Sequence, residues 1–196
     1  PEPSQTLRID ASGIPGTINF YKQNKEASDY YTIKAYNGED EITLNDTNVT
    51  ITVEEGQNIL DAHWITSSEA GQDPYAGSTK HTVALIPQTE LGMAKIKITV
   101  TTDDGSSATA EVPVLVNLED VVKANYETIT GWMTNSRLIP GHKYQLTDYE
   151  ATIATDVTDY VAQTDGHFDI VLTASATNNF YENCKAAAHE GDSYYG

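Results

Sequence analysis

Histidine and cysteine are the residues of this chain best suited to bind a metal ion or to act as a nucleophile. The histidines are His63, His81, His142, His167 and His189. They show no spacing such as H-x-x-x-H and have no cysteine cluster beside them, so a zinc site is not expected. The single Cys184 has no histidine or asparagine setting that would activate a thiolate, and it cannot form an internal disulfide.

Carboxylate pairs are the second group with catalytic potential, because glycosidases use two acidic residues. Such pairs occur at Asp103-Asp104, at Asp156 with Asp159, and within residues 39–41. A glycan-degrading depolymerase would need one of these pairs in a groove, whereas carboxylates in turns are normally solvated. The sequence also lacks G-x-S-x-G, P-loop and G-x-G-x-x-G motifs. We therefore predict no enzyme activity.

Calcium is the inorganic ion that the acidic residues favour most, because it binds hard oxygen ligands. Asp156, Asp159 and Asp165, or the turn at residues 103–107, would supply such oxygens. None of these segments reproduces an EF-hand loop. The sequence therefore predicts no metal ion and no cofactor.

Tyrosine, present 12 times, offers a flat apolar face together with a polar hydroxyl. Tyr30, Tyr31 and Tyr75 are therefore candidate contacts for a glycan or a protein partner. The alternative is that these tyrosines lie in the core or on a strand surface, where such residues are found more often.

The formal net charge of -18, from 29 acidic and 11 basic residues, limits the class of partner. Nucleic-acid binding depends on Lys and Arg for counterion release, so no nucleic-acid partner is expected. The sequence has no run of 18 apolar residues, and it begins with neither a basic segment nor an apolar one. We therefore expect no membrane insertion and no signal peptide.

The elements that position these residues have the pattern of β-strands. Apolar and polar residues alternate in residues 93–100 and again in residues 108–116, as in strands with one buried face. Asp104-Gly105 between them supplies the positive φ of a tight turn. The pattern predicts a hairpin over residues 93–116. Pro113 fits its second strand only at a sheet edge or a bulge, because proline cannot donate a ladder bond.

Seven shorter β-like runs precede the hairpin, with turn residues between them. They are residues 6–11, 16–23, 30–36, 41–44, 48–53, 61–66 and 79–86. Seven to nine short strands in about 117 residues are typical of an immunoglobulin-like β-sandwich, here without its cysteine pair. We therefore predict an all-β fold in which residues 1–117 form this sandwich, with Trp64 in its core.

The rest of the chain has the pattern of a helical linker followed by a small β-rich region. Within residues 117–127, apolar residues recur at helical spacing, and Asn117 is a candidate N-cap. We therefore place a helical linker at residues 118–137 and the β-rich region at residues 138–196. This region is too short to close its own sheet edges, so we expect it to continue in a longer protein.

Two local features of the β-rich region have structural explanations. Pro140-Gly141 fits the central positions of a type II turn, where glycine accepts a positive φ. Asp148, at a strand end, is expected to accept hydrogen bonds from nearby backbone N–H groups, a role of the Asx-turn type.

Residues 138–149 read Leu-Ile-Pro-Gly-His-Lys-Tyr-Gln-Leu-Thr-Asp-Tyr. This stretch resembles a module of virion proteins from phages of Bacteroidetes, crAss-like and related, which has the run L-x-P-G-x-x-Y-x-(I/L)-T-D-Y. In that family a Thr-rich segment follows, then an F-D-I-(V/I)-(V/L)-T-A strand and an Ala-rich piece ending in G-D-(S/T)-Y-(F/Y). The matching parts here are residues 152–164, 168–174 and 186–195.

The resemblance implies a structural component of a phage virion, such as a tail or head fibre or appendage protein that serves assembly and host-surface attachment. Such a protein is made in the host cytoplasm and located in the extracellular particle. It is expected to form a homotrimer and to bind other virion proteins and a host surface glycan. Expected assembly contacts are Val122, Tyr126, Trp132 and Tyr144. The alternative function is a glycan-binding, immunoglobulin-like adhesion module of a bacterial surface protein.

Overall fold

The computed structural model of this chain describes residues 6–148 and 171–181. Within these residues the structure consists mostly of β-strands with one short α-helix, so the predicted all-β fold class is confirmed. The chain divides into two compact units, Pro1–Leu118 and Glu119–Gly196, here called unit 1 and unit 2.

The described part of unit 1 contains ten strands and one short 3-10 helix, Ala27–Asp29. Each of the seven runs predicted upstream of the hairpin overlaps at least one strand. The strands are β1 (Leu7–Asp10), β2 (Thr17–Asn19), β3 (Tyr30–Tyr31), β4 (Lys34–Asn37), β5 (Asp40–Ile42), β6 (Val49–Glu55), β7 (Leu60–Trp64), β8 (Val83–Pro87), β9 (Gly92–Thr101) and β10 (Ser107–Asn117).

The strands of unit 1 form three sheets, with the orders β1-β4-β5, β2-β10-β9-β6 and β3-β8-β7. Most neighbours are antiparallel, but β2 pairs in parallel with β10, with Thr17 opposite Leu115. The second strand and the last strand of unit 1 therefore lie side by side in one sheet.

The predicted hairpin is confirmed by an antiparallel register that runs from Ser107 opposite Thr101 to Val116 opposite Gly92. Gly105 in its turn has a φ of 83°. The inward side chains of β9 are all buried, and they are Ala94, Ile96, Ile98 and Val100. On the outward face, Lys95 and Lys97 form ion pairs with glutamates of β6 and β10 at N–O distances of 2.6 to 3.8 Å. The alternation in the sequence therefore separates a buried face from a charged one.

Pro113 lies opposite Lys95 in the middle of β10. On the other side of β10, the ladder with β2 covers only residues 115–117. At Pro113, β10 therefore pairs with β9 on one side and has no ladder partner among the described residues on the other. This agrees with the edge position predicted for this proline.

The core of unit 1 is built from the inward faces of its sheets. Phe20, Leu60, Ile65, Leu85 and Val114 have side chains at most 1 % exposed. Trp64 is also buried, as predicted, and its indole Nε1–H donates to the Asn45 carbonyl at 3.1 Å. The hydrogen bond satisfies the one polar atom that this side chain takes into the core.

The described part of unit 2 contains one four-stranded sheet and the helix. Its elements are β11 (Val121–Ala124), α1 (Tyr126–Thr134), β12 (Lys143–Leu146), β13 (Val171–Ala176) and β14 (Asn179–Phe180). The strand order is β11-β12-β13-β14, with β11 parallel to β12 and the other pairs antiparallel. The buried side chains of this unit are Val122, Ile129, Leu138, Tyr144, Leu146 and Ala174.

The helix predicted within residues 117–127 is wrong in its position. β10 extends through Asn117, and Val121 and Val122 lie in β11 because their β-branched side chains fit a ladder with β12. The helix begins only after Asn125, whose side chain accepts a hydrogen bond from Thr128 N at 2.8 Å. The segment expected as a helical linker, residues 118–137, therefore contains a strand and a helix of unit 2.

Of the two local predictions for residues 138–149, the turn is confirmed, whereas Asp148 bonds a backbone N–H 22 residues away and not one in its own turn. Gly141 has a φ of 84°, and the N–H of His142 donates to the Ile139 carbonyl at 3.0 Å, which closes the predicted turn. The carboxylate of Asp148 accepts a backbone N–H, at 2.7 Å from Tyr126 N. Asp148 therefore satisfies a free N–H group in the first turn of α1.

Candidate functional site

The connection between β7 and β8, residues 65–82, holds the main polar side-chain clusters of unit 1 in place. Its two ends are tied together, because Ile65 N donates to the Thr82 carbonyl at 2.8 Å and His81 N donates to the Ile65 carbonyl at 2.7 Å. Inside the connection, the Ser78 hydroxyl donates to the Tyr75 carbonyl at 2.7 Å. This long loop is therefore internally bonded, which fixes the side chains that it carries.

The first cluster joins His63 of β7 to Glu69 and Tyr75 of the connection. His63 Nε2 lies 2.9 Å from Glu69 Oε1, and the His63 and Tyr75 rings stack with centroids 5.2 Å apart. The other carboxylate oxygen of Glu69 accepts the Thr66 hydroxyl at 2.6 Å and the Thr66 N–H at 3.0 Å. Glu69 thus links the start of the connection to strand β7.

The electrostatic state of Glu69 follows from these donors. The hydrogen bond from the Thr66 hydroxyl, followed by that from the Thr66 N–H, lowers the pKa of the Glu69 carboxyl to about 2. Hydrogen bonds that favour the charged form always shift a carboxyl in this direction. Glu69 is therefore ionised across the physiological range.

The second cluster contains Asp46, Ser67 and His81, the residue types of a hydrolytic triad. In such a triad, serine and aspartate bond to opposite nitrogens of the histidine ring. Here Asp46 Oδ1 and Ser67 Oγ both approach Nε2 of His81, at 3.0 and 3.3 Å. The Ser67 hydroxyl also donates to Asp46 Oδ1 at 3.1 Å. The geometry therefore joins two loops and does not form a relay that would activate the serine.

Asp46 is the centre of this second cluster. The backbone N–H of Ser67 donates to Asp46 Oδ1 at 2.8 Å, and this bond is the main cause that lowers the pKa of the Asp46 carboxyl. The neighbouring Asn45 accepts, through its side-chain oxygen, the N–H groups of Thr47 and Asn48 at 2.9 and 3.1 Å. The turn at residues 45–48 therefore holds the carboxylate in a fixed position.

His81 has an unusual backbone conformation for a residue with a side chain. Its φ is 62°, in the left-handed region, which costs such a residue about 1 kcal/mol or more. Its ring stacks on the indole of Trp64, with centroids 6.0 Å apart and an interplanar angle of 11°. The stack and the contact with Asp46 stabilise a conformation that the backbone alone disfavours.

A surface groove with a volume of about 470 Å³ opens between the β4–β5 hairpin and His81. Besides His81 it is lined by Ile33, Lys34, Glu41, Ile42, Thr43 and Leu44. Its size falls in the range of small-molecule sites, roughly 300 to 1,000 Å³. Because His81 belongs to both, the groove adjoins the Asp46 cluster.

The three tyrosines predicted as glycan or partner contacts occupy different environments. Tyr30 is 7 % exposed, packs with Ile65 and Ala84, and donates its hydroxyl to the Asn24 carbonyl at 2.6 Å. Tyr75 is half-buried and packs against the same cluster. Tyr30 therefore lies in the core, the alternative interpretation for these residues, and Tyr75 packs against the edge of the same cluster.

Tyr31, the third predicted tyrosine, is half-buried beneath Lys22. The Lys22 ammonium lies 5.4 Å from the Tyr31 ring centroid and donates to Asn24 Oδ1 at 2.5 Å and to the Asp29 carbonyl at 2.8 Å. The Lys22 side chain is 8 % exposed, and this burial lowers the pKa of its ammonium group. One face of the Tyr31 ring is therefore occupied by a cation of the same chain.

The four residues predicted for assembly are also divided. Tyr144 is fully buried, and its hydroxyl accepts the Ile139 N–H at 2.8 Å; Val122 is 8 % exposed. Trp132 is half-buried, with its ring centroid 6.2 Å from that of Tyr144. Tyr126, by contrast, is 66 % exposed at the start of α1. Tyr126 is thus the member of the four that presents most of its side chain to solvent.

The candidate calcium ligands receive no support from the described residues. The Asp104 carboxylate accepts the Thr102 hydroxyl at 2.5 Å and the Ser106 N–H at 2.9 Å, so it is engaged within its own turn. No group of three or more His, Cys, Asp or Glu side chains in the described ranges is arranged to hold a metal ion. Asp156, Asp159 and Asp165 lie outside those ranges, as does Cys184.

The Asp46–His81 cluster was not predicted from the sequence, because its two residues are 35 positions apart and belong to different loops. Glu69 has a local signal that was overlooked. Thr66-Ser-Ser-Glu69 matches the S/T-x-x-E pattern in which a glutamate bonds the N–H three residues before it.

Among the described residues, no helix is both long enough and apolar enough to span a bilayer. Comparisons with protein-family models, with curated proteins and with solved structures found no match to this chain.

Proposed function

We propose that this chain is a non-enzymatic structural component of a phage virion, part of a tail or head fibre or appendage. Unit 1 serves as an immunoglobulin-like spacer that also contacts the host surface, and unit 2 assembles the protein into a homotrimer with other virion proteins. The protein is located in the extracellular particle.

The strand pairing of unit 1 supports the spacer part of the proposal. An immunoglobulin-like sandwich places strands C, F and G in one sheet and strands B, E and D in the other. Here β6, β9 and β10 are neighbours in one sheet in that order, and β3, β8 and β7 are neighbours in a second one. The third sheet, β1-β4-β5, has no counterpart in that arrangement. It is separate from both of the other sheets and does not interrupt their strand order.

The observation that carries the proposal concerns residues 138–149, the stretch that resembles the phage module. Several of its residues hold unit 2 together. Its Leu138 and Tyr144 are buried, its Gly141 forms the turn before β12, and its Asp148 bonds the start of α1. A motif in which these four residues all have structural roles is best explained by a shared fold. The chemistry of a shared active site would leave such residues open to a ligand.

Exposed apolar side chains of unit 2 support the assembly part. Tyr126, Val171 and Tyr181 are 66 %, 39 % and 54 % exposed, on a unit whose described sheet has only four strands. Exposed apolar side chains on such a unit gain stability when they are buried against further copies. Threefold symmetry is the common arrangement in the fibre proteins that the chain resembles.

Two measurements test the proposal. Sedimentation equilibrium of the purified chain is expected to give a mass three times that of one copy. A tryptic digest of phage particles purified from the infected host culture is expected to contain peptides of this chain. A well-folded monomer together with particles that lack these peptides would refute the proposal.

A second candidate function is a glycan-binding adhesion module of a bacterial surface protein, and the groove beside His81 favours it. In that case the peptides would be found in the bacterial envelope fraction of uninfected cells and not in purified particles. The two candidates are thus separated by where the protein is found, independently of what the groove binds.

A further inference from the structure

The groove beside the β4–β5 hairpin has the mixed chemistry of a ligand site. Its lining includes three aliphatic residues, of which Ile33 is buried and Ile42 and Leu44 are half-buried. Its rim is polar: Lys34 Nζ lies 3.2 Å from Glu41 Oε2, and both side chains are about half exposed, at 53 % and 54 %. The surface that this groove exposes is therefore more polar than apolar, a composition that suits a ligand rich in hydrogen-bonding groups.

His81 closes the far side of this groove in a conformation that its backbone disfavours. Its ring is fixed by the Trp64 indole on one face and by Asp46 Oδ1 at 3.0 Å from Nε2. Left-handed residues other than glycine cluster at ligand sites, where the surrounding contacts hold them. The backbone conformation of His81 is an observation separate from the shape of the groove. It too suggests a ligand site at this residue.

We propose that this groove binds a neutral saccharide, an inference that rests on the host-attachment part of the proposed function. A sugar carries many hydroxyl groups, which pair with donors and acceptors together and suit the mainly polar lining, while its C–H groups suit the aliphatic side chains. Lys34, Glu41, Thr43 and His81 provide both kinds of group. The rim lysine and glutamate balance each other, and a chain of net charge -18 repels anionic sugars.

An extended peptide added along β5 is the competing occupant, because β5 is the edge strand of its sheet. Such a peptide needs free backbone groups just past the strand end. The Thr43 carbonyl already accepts the Asn48 side-chain amide at 3.0 Å. The edge is therefore partly capped, which favours the saccharide.

The test uses the whole chain labelled with ¹⁵N and titrated with neutral oligosaccharides: maltotriose, mannotriose and N,N′,N″-triacetylchitotriose. At least one is expected to shift the amide signals of Lys34, Thr43 and His81 in a saturable way. Thr43→Val, which removes a rim hydroxyl at constant shape, is expected to weaken that binding about tenfold, the effect of losing one good hydrogen bond. Thr52→Val is the matched control, because Thr52 is an exposed threonine on β6, outside the groove.

Three outcomes overturn the inference: no groove signal shifts with any of the three sugars, both threonine variants bind equally well, or a hexapeptide of alternating valine and threonine shifts the groove signals when the sugars do not. These results are separable from those of the proposed function. A trimer whose peptides are present in virions, but which binds no sugar, refutes the groove and leaves the virion assignment standing.

Discussion

At the scale of single residues, the polar side chains of unit 1 act as links between loops. Glu69 bonds Thr66 and His63, Asp46 bonds Ser67 and His81, and the Lys22 ammonium bonds Asn24 and Asp29. In the described residues, every buried side-chain nitrogen and oxygen has a hydrogen-bond partner. Such networks stabilise a structure when every donor and acceptor is paired. Removing one partner destabilises it, because the remaining group is left buried without a hydrogen bond.

Glu69→Gln is expected to reduce the free energy of unfolding by about 1 kcal/mol at neutral pH, because a charged acceptor of two Thr66 donors is replaced by a neutral one. The pKa of Glu69 is lower in the folded state than its ordinary 4.5, so its contribution is complete above pH 4.5. It is then lost as the pH falls toward 2. Urea unfolding followed by tryptophan fluorescence measures the difference between variant and wild type.

That difference is expected to shrink through this acid window. Glu39→Gln is the control, since Glu39 is an exposed glutamate in the β4–β5 turn, and it is expected to change the unfolding free energy little at any pH. A Glu69→Gln difference that stays constant from neutral pH to pH 2 would contradict the assigned pKa.

At the scale of elements, the connection between β7 and β8 is shaped by close backbone contacts as well as by side chains. A Cβ atom at Gly77 would lie 2.2 Å from the Lys25 carbonyl oxygen and 2.7 Å from the Glu26 carbonyl carbon. Both contacts are with backbone, which cannot rotate away. The connection therefore rests on the segment before the 3-10 helix at a point where only glycine fits.

Gly77→Ala is expected to destabilise the chain by about 1 to 3 kcal/mol, the cost of forcing extra atoms into a filled space. Thermal unfolding followed by circular dichroism is expected to show a midpoint several degrees lower. Gly16→Ala is the matched control, because a Cβ there has no neighbour within 4 Å. Equal midpoints for the two variants would show that the two segments are not in contact.

The helix α1 offers the opposite case. Gly131 lies inside α1, and a Cβ there meets nothing within 4 Å. Alanine loses less conformational entropy than glycine in a helix, so Gly131→Ala is expected to stabilise unit 2 by about 0.5 to 1 kcal/mol. Amide hydrogen exchange of α1 measures this, and faster exchange in the variant would argue against the placement of the helix.

At the scale of the whole molecule, charge and exposed apolar surface have opposite effects on the association of copies. A net charge of -18 on each chain repels other copies, whereas the exposed apolar side chains of Tyr126, Val171 and Tyr181 in unit 2 favour association. Salt screens the repulsion and leaves the apolar contribution in place. The balance between the two decides whether copies associate.

If unit 2 forms the trimer, Tyr126→Ser is expected to shift the sedimentation equilibrium toward monomer and to leave the circular dichroism spectrum unchanged. Raising the salt concentration is expected to strengthen association of the wild type. Met93→Ser is the control, since Met93 is 56 % exposed but belongs to unit 1. An equal loss of trimer in both variants, or no loss with Tyr126→Ser, would exclude this surface of unit 2 as the interface.

The strands were predictable because their signals are local. In β9 and β10 a period of two separates buried from solvated faces, and Gly105 and Gly141 occupy turns that require a positive φ. The place of α1 was not predictable in the same way. Val121 and Val122 share in a helical spacing of apolar residues, but their β-branched side chains also suit a strand. Pairing with β12 is what makes this segment a strand.

In unit 1 the sequence by itself determined which segments become strands and which residues stand in turns, since side-chain periodicity and glycine conformations are properties of neighbouring residues. Only the tertiary structure decided the partners of the polar side chains and the fate of the tyrosines. Tyr30 and Tyr31 are adjacent in one strand and point to opposite faces, so the fold buries one and places the other beneath Lys22. Asp46 meets His81 because two distant loops fold together, and contact between distant loops leaves no pattern in either segment alone.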